Sequence, residues 1–192
     1  PTATDNCDSD VNISFSEVQS NTVCSNAHTL TRTWTATDAC GNTSQQTQVI
    51  TVEDNTPPVL LNVPTDEVVE CDAIPSAASP TATDNCTDNV DISFSEVQSE
   101  AICPNAYTLT RTWTATDACG NQAVQTQIIT VEDTTAPILL GVPANVNAAC
   151  NTIPSPASPM ATDNCDTEVL IILSEVQEAG SCSNSYHLIR TW

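Results

Sequence analysis

The sequence predicts an all-β chain, a tandem of antiparallel β-sandwich repeats of 79 residues stapled by disulfides. Three observations carry this expectation. Thr108, Thr110, Thr112, Thr114 and Thr116 alternate with Leu109, Arg111, Trp113 and Ala115. Side chains alternate between faces along a strand, so a threonine ladder opposes a mixed apolar face, a pattern no helix explains. Next, the run TLTRTWTATDACGN stands at Thr29–Asn42 and again at Thr108–Asn121, and it restarts as HLIRTW at His187. PTATDNC at Pro1 and Pro80, with PMATDNC at Pro159, sets the 79-residue period, too long for a solenoid unit and right for a small sandwich domain. Finally, ten cysteines recur at regular intervals without CxxC spacing and with only two histidines. That usage disfavours zinc and points to disulfides in an oxidising, extracellular compartment.

The seams lie after VED, at Asn55-Thr56-Pro57-Pro58 and Thr134-Thr135-Ala136-Pro137, because proline ends strand pairing and stiffens a linker. The expected division is an incomplete repeat at 1–56, a complete one at 57–135 and an incomplete one at 136–192. Starting at Pro1 inside a repeat and stopping at Trp192 inside a strand, the chain reads as an excerpt of a longer exported polypeptide.

Within 57–135 the elements follow in order. Val59–Val63 is an apolar opening strand and Glu67–Cys71 a short second one. An Ala, Ser and Pro loop runs from Asp72 to Pro80, with a short strand near Thr81–Thr83. Val90–Gln98 alternates, with Ile92, Phe94 and Glu96 on one face. Tyr107–Asp117 is the threonine-laddered strand, turning at Asp117-Ala118-Cys119-Gly120-Asn121, and Val124–Glu132 closes the repeat. Short strands separated by turn signals make an antiparallel sandwich.

Pairing Val90–Gln98 with Tyr107–Asp117 as a hairpin sets Phe94 and Glu96 opposite Arg111 and Leu109. Arg111 then lies beside Trp113 and within reach of Glu96, a semi-buried cation over an indole. Arg32/Glu17 and Arg190/Glu175 repeat the pattern, so every arginine belongs to the scaffold. The same hairpin carries Cys86 and Cys119 to one end and Cys103 to the other. Cys103 and Cys119 are then separated by roughly 35 Å of strand, beyond the reach of a bridge. The expected bridges are Cys86–Cys119 and, by elimination, Cys71–Cys103, with Cys7–Cys40 and Cys150–Cys182 as equivalents. Cys24 and Cys165 would find partners in the missing parts of the end repeats, and Cys71–Cys86 is a competing pairing. Each bridge would be worth about 3–4 kcal/mol.

The formal charge is −21, with three arginines and no lysine. Nothing is available to neutralise phosphates, so nucleic acid is excluded, and an anionic membrane surface with it. No apolar run spans a bilayer. His28 and His187 occupy non-equivalent positions, no nucleophile constellation recurs, and an enzyme is not expected.

These motifs identify a resemblance. VPANVNAAC…IPSPASP, TATDNC, SEVQS, TLTRTWTATDACGN and TQIITVEDTTAP are similar to the tandem hyalin-repeat-like, immunoglobulin-like modules of giant Bacteroidota adhesins and gliding-associated surface proteins. The resemblance covers the whole chain. It implies an immunoglobulin-like sandwich in an extracellular stalk, adhesin or cell-surface filament. The partners it implies are neighbouring repeats, identical chains in a filament and an unidentified surface ligand.

An immunoglobulin-like repeat would gather the linker residues Glu53, Asp54 and Asn55 with Asp84, Asn85, Asp117 and Asn121 at one pole. Glu132, Asp133 and Asp163 would meet at the next. Hard oxygen ligands without a basic neighbour suit Ca²⁺, and the arrangement resembles the cadherin junction. The alternative is that Asp84 and Asp117 cap turns while the linker acids are solvated. Asp133-Thr134-Thr135 resembles a Bacteroidota O-glycosylation sequence with Thr134 as acceptor; Asn12, Asn42 and Asn85 stand in N-x-S/T sequons. Two functions follow: a structural spacer, favoured by near-identical successive repeats, or a Ca-dependent module binding glycans or proteins.

Overall fold

The structure is a computed structural model that describes residues 1–21, 24, 27–101, 105–181 and 184–192. Among them every regular element is a strand. The first repeat contributes β1 (Asn12–Asn21), β2 (His28–Thr37) and β3 (Thr43–Val52). The second contributes β4 (Val59–Leu61), β5 (Glu67–Glu70), β6 (Thr81–Thr83), β7 (Asp91–Gln98), β8 (Tyr107–Thr116) and β9 (Gln122–Glu132). The third adds β10 (Ile138–Leu140), β11 (Met160–Thr162), β12 (Ser174–Ala179) and β13 (Tyr186–Thr191).

The second repeat is the immunoglobulin-like sandwich. One sheet is the pair β4-β6; the other runs β5-β9-β8-β7. The β5–β9 pair is parallel, Glu67 facing Ile129 and Glu70 facing Glu132, whereas the sequence reading expected antiparallel pairing throughout. A parallel neighbour requires a crossover connection, and the long proline-bearing loop after β5, passing through β6, supplies one.

Compact packing divides the chain into two units: Pro1–Thr65, Ala77–Glu96 and Arg111–Gln127 in the first, Asp66–Ser76, Val97–Thr110 and Ile128–Trp192 in the second. The first has its core between the two sheets, where Leu60 of β4 and Ala82 of β6 pack on Trp113 and Ala115 of β8 and Ile92 of β7. The second packs Leu109 of β8 with Ile129 and Val131 of β9, against Val69 and Ile74. Along β8 the residues Leu109, Arg111, Trp113 and Ala115 are all buried, while no threonine of the ladder is. Period-two alternation therefore does what the sequence demanded: it places one face inside and leaves the hydroxyls outside.

The hairpin register differs from expectation by two residues. In the first repeat Phe15 faces Trp34 and Glu17 faces Arg32. In the second, Phe94 packs on Trp113 with ring centroids 5.4 Å apart, and Arg111 Nε donates to Glu96 Oε2 at 2.6 Å. The aromatic partner of Trp113 is thus Phe94, and Glu96 takes the guanidinium directly. The pair recurs as Arg32–Glu17 and Arg190–Glu175. Burial differs: the Arg111 side chain is 5% exposed, that of Arg32 36%, with the glutamate 37% exposed in both. Arg111→Met should therefore cost about 1–3 kcal/mol, since it keeps an apolar stem but strips a buried site of its cation and its hydrogen bonds and leaves Glu96 without its partner. Arg32→Met should cost less than about 1 kcal/mol. Urea midpoints of the two variants compare them directly.

Candidate functional site

The turn that closes β8 is built by its own side chains. The Asp117 N–H donates to the Asn121 carbonyl and the Gly120 N–H to the Asp117 carbonyl. Asp117 Oδ1 accepts from the N–H groups of Cys119 and Asn121 at 2.9 and 2.8 Å. Gly120 has φ +90°, a left-handed conformation in which glycine avoids a Cβ clash. The same turn forms at Asp38–Asn42 in the first repeat. There the hydrogen bonds from Asn42 hold the Asp38 carboxyl below its ordinary range.

The linker after β3 meets this turn. Asn121 Nδ2 donates to the Asp54 carbonyl at 3.0 Å and to Asp117 Oδ2 at 2.7 Å. Asp84 Oδ1 accepts from the N–H groups of Cys86 and Thr87. Asp54, Asp84 and Asp117 each present a carboxylate oxygen, the three lying within 4.8 Å of one another. Asp54 is 7% and Asp117 6% exposed. Asp54 Oδ2 and Asp84 Oδ2 are buried with no hydrogen-bond partner among the described residues. Turn capping and cation binding are therefore compatible here: the capping bonds of Asp84 use one oxygen and leave the other bare. Burial works to raise the Asp117 pKa, but the bonds from Asn121, Cys119 and Gly120 outweigh it and hold the carboxyl below its ordinary range. Burial, with Asp54, Asp84 and Asp117 close by, pushes the Cys86 thiol up.

The next linker builds a related group in the second unit, where Asp133, Asp163 and Asp166 each bring an oxygen within the same 4.8 Å. Asp163 Oδ1 accepts from the N–H groups of Cys165 and Asp166, which lower its pKa. Asp133 is pushed up by burial, then by Asp163, Asp166 and Glu70, and its Oδ1 is buried with no hydrogen-bond partner among the described residues. Sequence reasoning missed Asp166, which stands where the preceding repeat has Thr87. Glu53 and Asn55 are exposed, with Asn55 Nδ2 donating to Glu53, and Glu132 is exposed; neither glutamate joins an acid group among the described residues. Thr134 is exposed, and its N–H and hydroxyl donate to Glu70, whose carboxyl they hold low.

Disulfides cross the same two junctions. Cys24 of the first repeat is bonded to Cys119 of the second, with Cα atoms 4.9 Å apart. Cys71 of the second is bonded to Cys165 of the third, at 5.8 Å. The expected pairings are thereby corrected. Cys86–Cys119 and Cys71–Cys103 do not form, because Cys119 and Cys71 are bonded elsewhere; Cys71–Cys86 fails for the same reason. Cys7 and Cys40 are both exposed thiols. Cys103 and Cys182 lie outside the described residues, and Cys150, the expected partner of Cys182, is an exposed thiol. Cys24 and Cys165 have their partners inside the chain. The expectation assumed that a repeat bridges within itself, whereas the ends of these strands lie at the junctions and face the adjoining repeat.

The family model of the HYR-like domain with four cysteines matches residues 1–52 and 59–131. No curated protein matches the chain.

Proposed function

Because the chain belongs to the HYR-like domains with four cysteines, which are extracellular adhesion-type repeat modules rather than enzymes, we propose that it is a load-bearing segment of a long surface protein. It acts as the stalk of an adhesin or as part of a cell-surface filament. The observation that carries this reading is that consecutive repeats are joined by bonds other than the backbone, through Cys24–Cys119 and Cys71–Cys165. A module whose task is confined to one binding face has no need of such cross-links. The glycan-binding alternative asks for an exposed aromatic platform. Trp113 is 1% exposed and Tyr107 packs into the second core; Phe15 and Phe94, though 55% and 47% exposed, are each tilted against a tryptophan of the neighbouring strand, Trp34 and Trp113.

The acid groups extend the reading. Each junction takes a calcium ion, held at one by Asp54, Asp84 and Asp117 and at the other by Asp133, Asp163 and Asp166. Three hard oxygens in close mutual reach, with bare buried atoms among them, suit this cation and would supply about half of its oxygen shell, carbonyls and water completing it. The arginines, each engaged by a hairpin glutamate, do not compete with it.

Pulling the chain by its two ends tests the load-bearing role. Each bridge short-circuits a segment of 95 or 94 residues. The reduced chain should therefore stretch about 320 Å further than the oxidised one. Equal lengths in the two states would refute the role.

A further inference from the structure

We propose that the two bridges are members of two ladders that run along the repeat array, so that every junction between consecutive repeats is crossed by two disulfides. Within each 79-residue period four cysteine positions recur, and 57–135 holds one of each: Cys71, Cys86, Cys103 and Cys119. Cys24 is the first repeat's equivalent of Cys103, and it bonds forward to Cys119 across 95 residues. Cys71 bonds forward to Cys165, the third repeat's equivalent of Cys86, across 94 residues. The two bonds thus use all four classes once each. First and third cysteines reach forward, and second and fourth receive from behind.

Applied to the remaining positions, this rule leaves no conflict. Cys40 belongs to the class of Cys119 and Cys7 to that of Cys165, so both take partners from a preceding repeat. Cys150 belongs to the class of Cys71 and takes its partner from a following one. All three are exposed thiols. Cys7 and Cys40 are the informative pair: both partners of an in-repeat bridge are described, and the bridge is not there. By the same equivalence Cys86 receives the first-class cysteine of the repeat before it.

The chemistry is thiol–disulfide exchange with the oxidised form of an exported dithiol oxidoreductase. One cysteine thiolate attacks the oxidant's disulfide, displacing one of its sulfurs as a thiol and leaving a mixed disulfide. The second thiolate then attacks the protein sulfur of that mixed disulfide and expels the other oxidant sulfur. Two cysteine thiols lose two protons and two electrons, and the oxidant leaves as its dithiol.

The inference deepens the load-bearing reading and rests on it for the presence of further repeats. Its test is a chain extended by a copy of residues 1–79 placed before Pro1. Sample and unextended control are oxidised, alkylated without reduction, digested and mapped. In the control Cys40 should be alkylated. In the extended chain Cys40 should be linked to the copy's Cys24 and Cys86 to the copy's Cys71, while Cys7 and Cys150 stay alkylated and the chain stays monomeric. With Cys24→Ser in the copy, alkylation should return at Cys40 alone, which guards against a folding defect. Persistent alkylation of Cys40 in the extended chain, a Cys7–Cys40 link or disulfide-linked dimers would overturn the ladder. The force result would be unaffected by that failure.

Discussion

Replacing Cys24 and Cys119 together by serine should lower the unfolding free energy of the oxidised chain by about 4.5 kcal/mol. The bridge closes a loop of 95 residues, and restricting the unfolded chain over that length is worth about this much in the chain-entropy description. Replacing Cys71 and Cys165 should cost nearly the same, since its separation is 94. The loops overlap over residues 71–119, yet neither bond shortens the path the other closes. The detour from Cys71 through Cys24–Cys119 to Cys165 covers as much chain as the direct route. The two losses should therefore nearly add, to about 9 kcal/mol, comparable with the whole stability of a domain. Each double variant should melt roughly 10–18 °C lower, and the fully reduced chain should be largely unfolded. Unchanged urea midpoints in both variants would show that the junction bridges do not form.

Calcium added to metal-free chain should raise the melting temperature by roughly 10–20 °C when its concentration is about a hundred times the dissociation constant of both junction sites. The physical cause is specific. Asp54 Oδ2 and Asp84 Oδ2 at one junction, and Asp133 Oδ1 at the other, are buried without a hydrogen-bond partner among the described residues, each beside two further carboxylates. A cation that binds only the folded junction relieves that repulsion and stabilises the native state. Asp54→Asn should remove the first binding event seen by calorimetry, and Asp133→Asn the second. Magnesium should do less, because its small octahedral shell adapts poorly to a fixed cluster. No heat of binding and no change in melting temperature would remove calcium from the account.

Local periodicity made much of this legible. The threonine ladder alone assigned the buried face of β8, with Leu109, Arg111, Trp113 and Ala115 inside, because alternation is a property of the strand itself. The strands of the second repeat fall close to where turn signals and prolines placed them. Register was harder. The connection from β7 to β8 leaves its own length ambiguous, and the two-residue error moved Phe94 from Arg111 to Trp113 without changing which face was buried. The parallel β5–β9 pair is a tertiary outcome that four residues of strand do not announce. The cysteines were hardest, because a strict repeat makes Cys24 and Cys103 equivalent in sequence. Nothing local says whether a thiol looks into its own repeat or the next. Asp166 escaped for the opposite reason: it breaks the repeat, standing where Thr87 stands one period earlier.

The disulfides run between repeats rather than within them, and a non-reducing peptide map of the 192-residue chain tests this most directly. After alkylation of thiols and digestion, it should contain the linked peptides Cys24–Cys119 and Cys71–Cys165, with Cys7, Cys40 and Cys150 alkylated. Linked peptides Cys86–Cys119 and Cys7–Cys40 in their place would return each repeat to a self-contained sandwich and contradict the account.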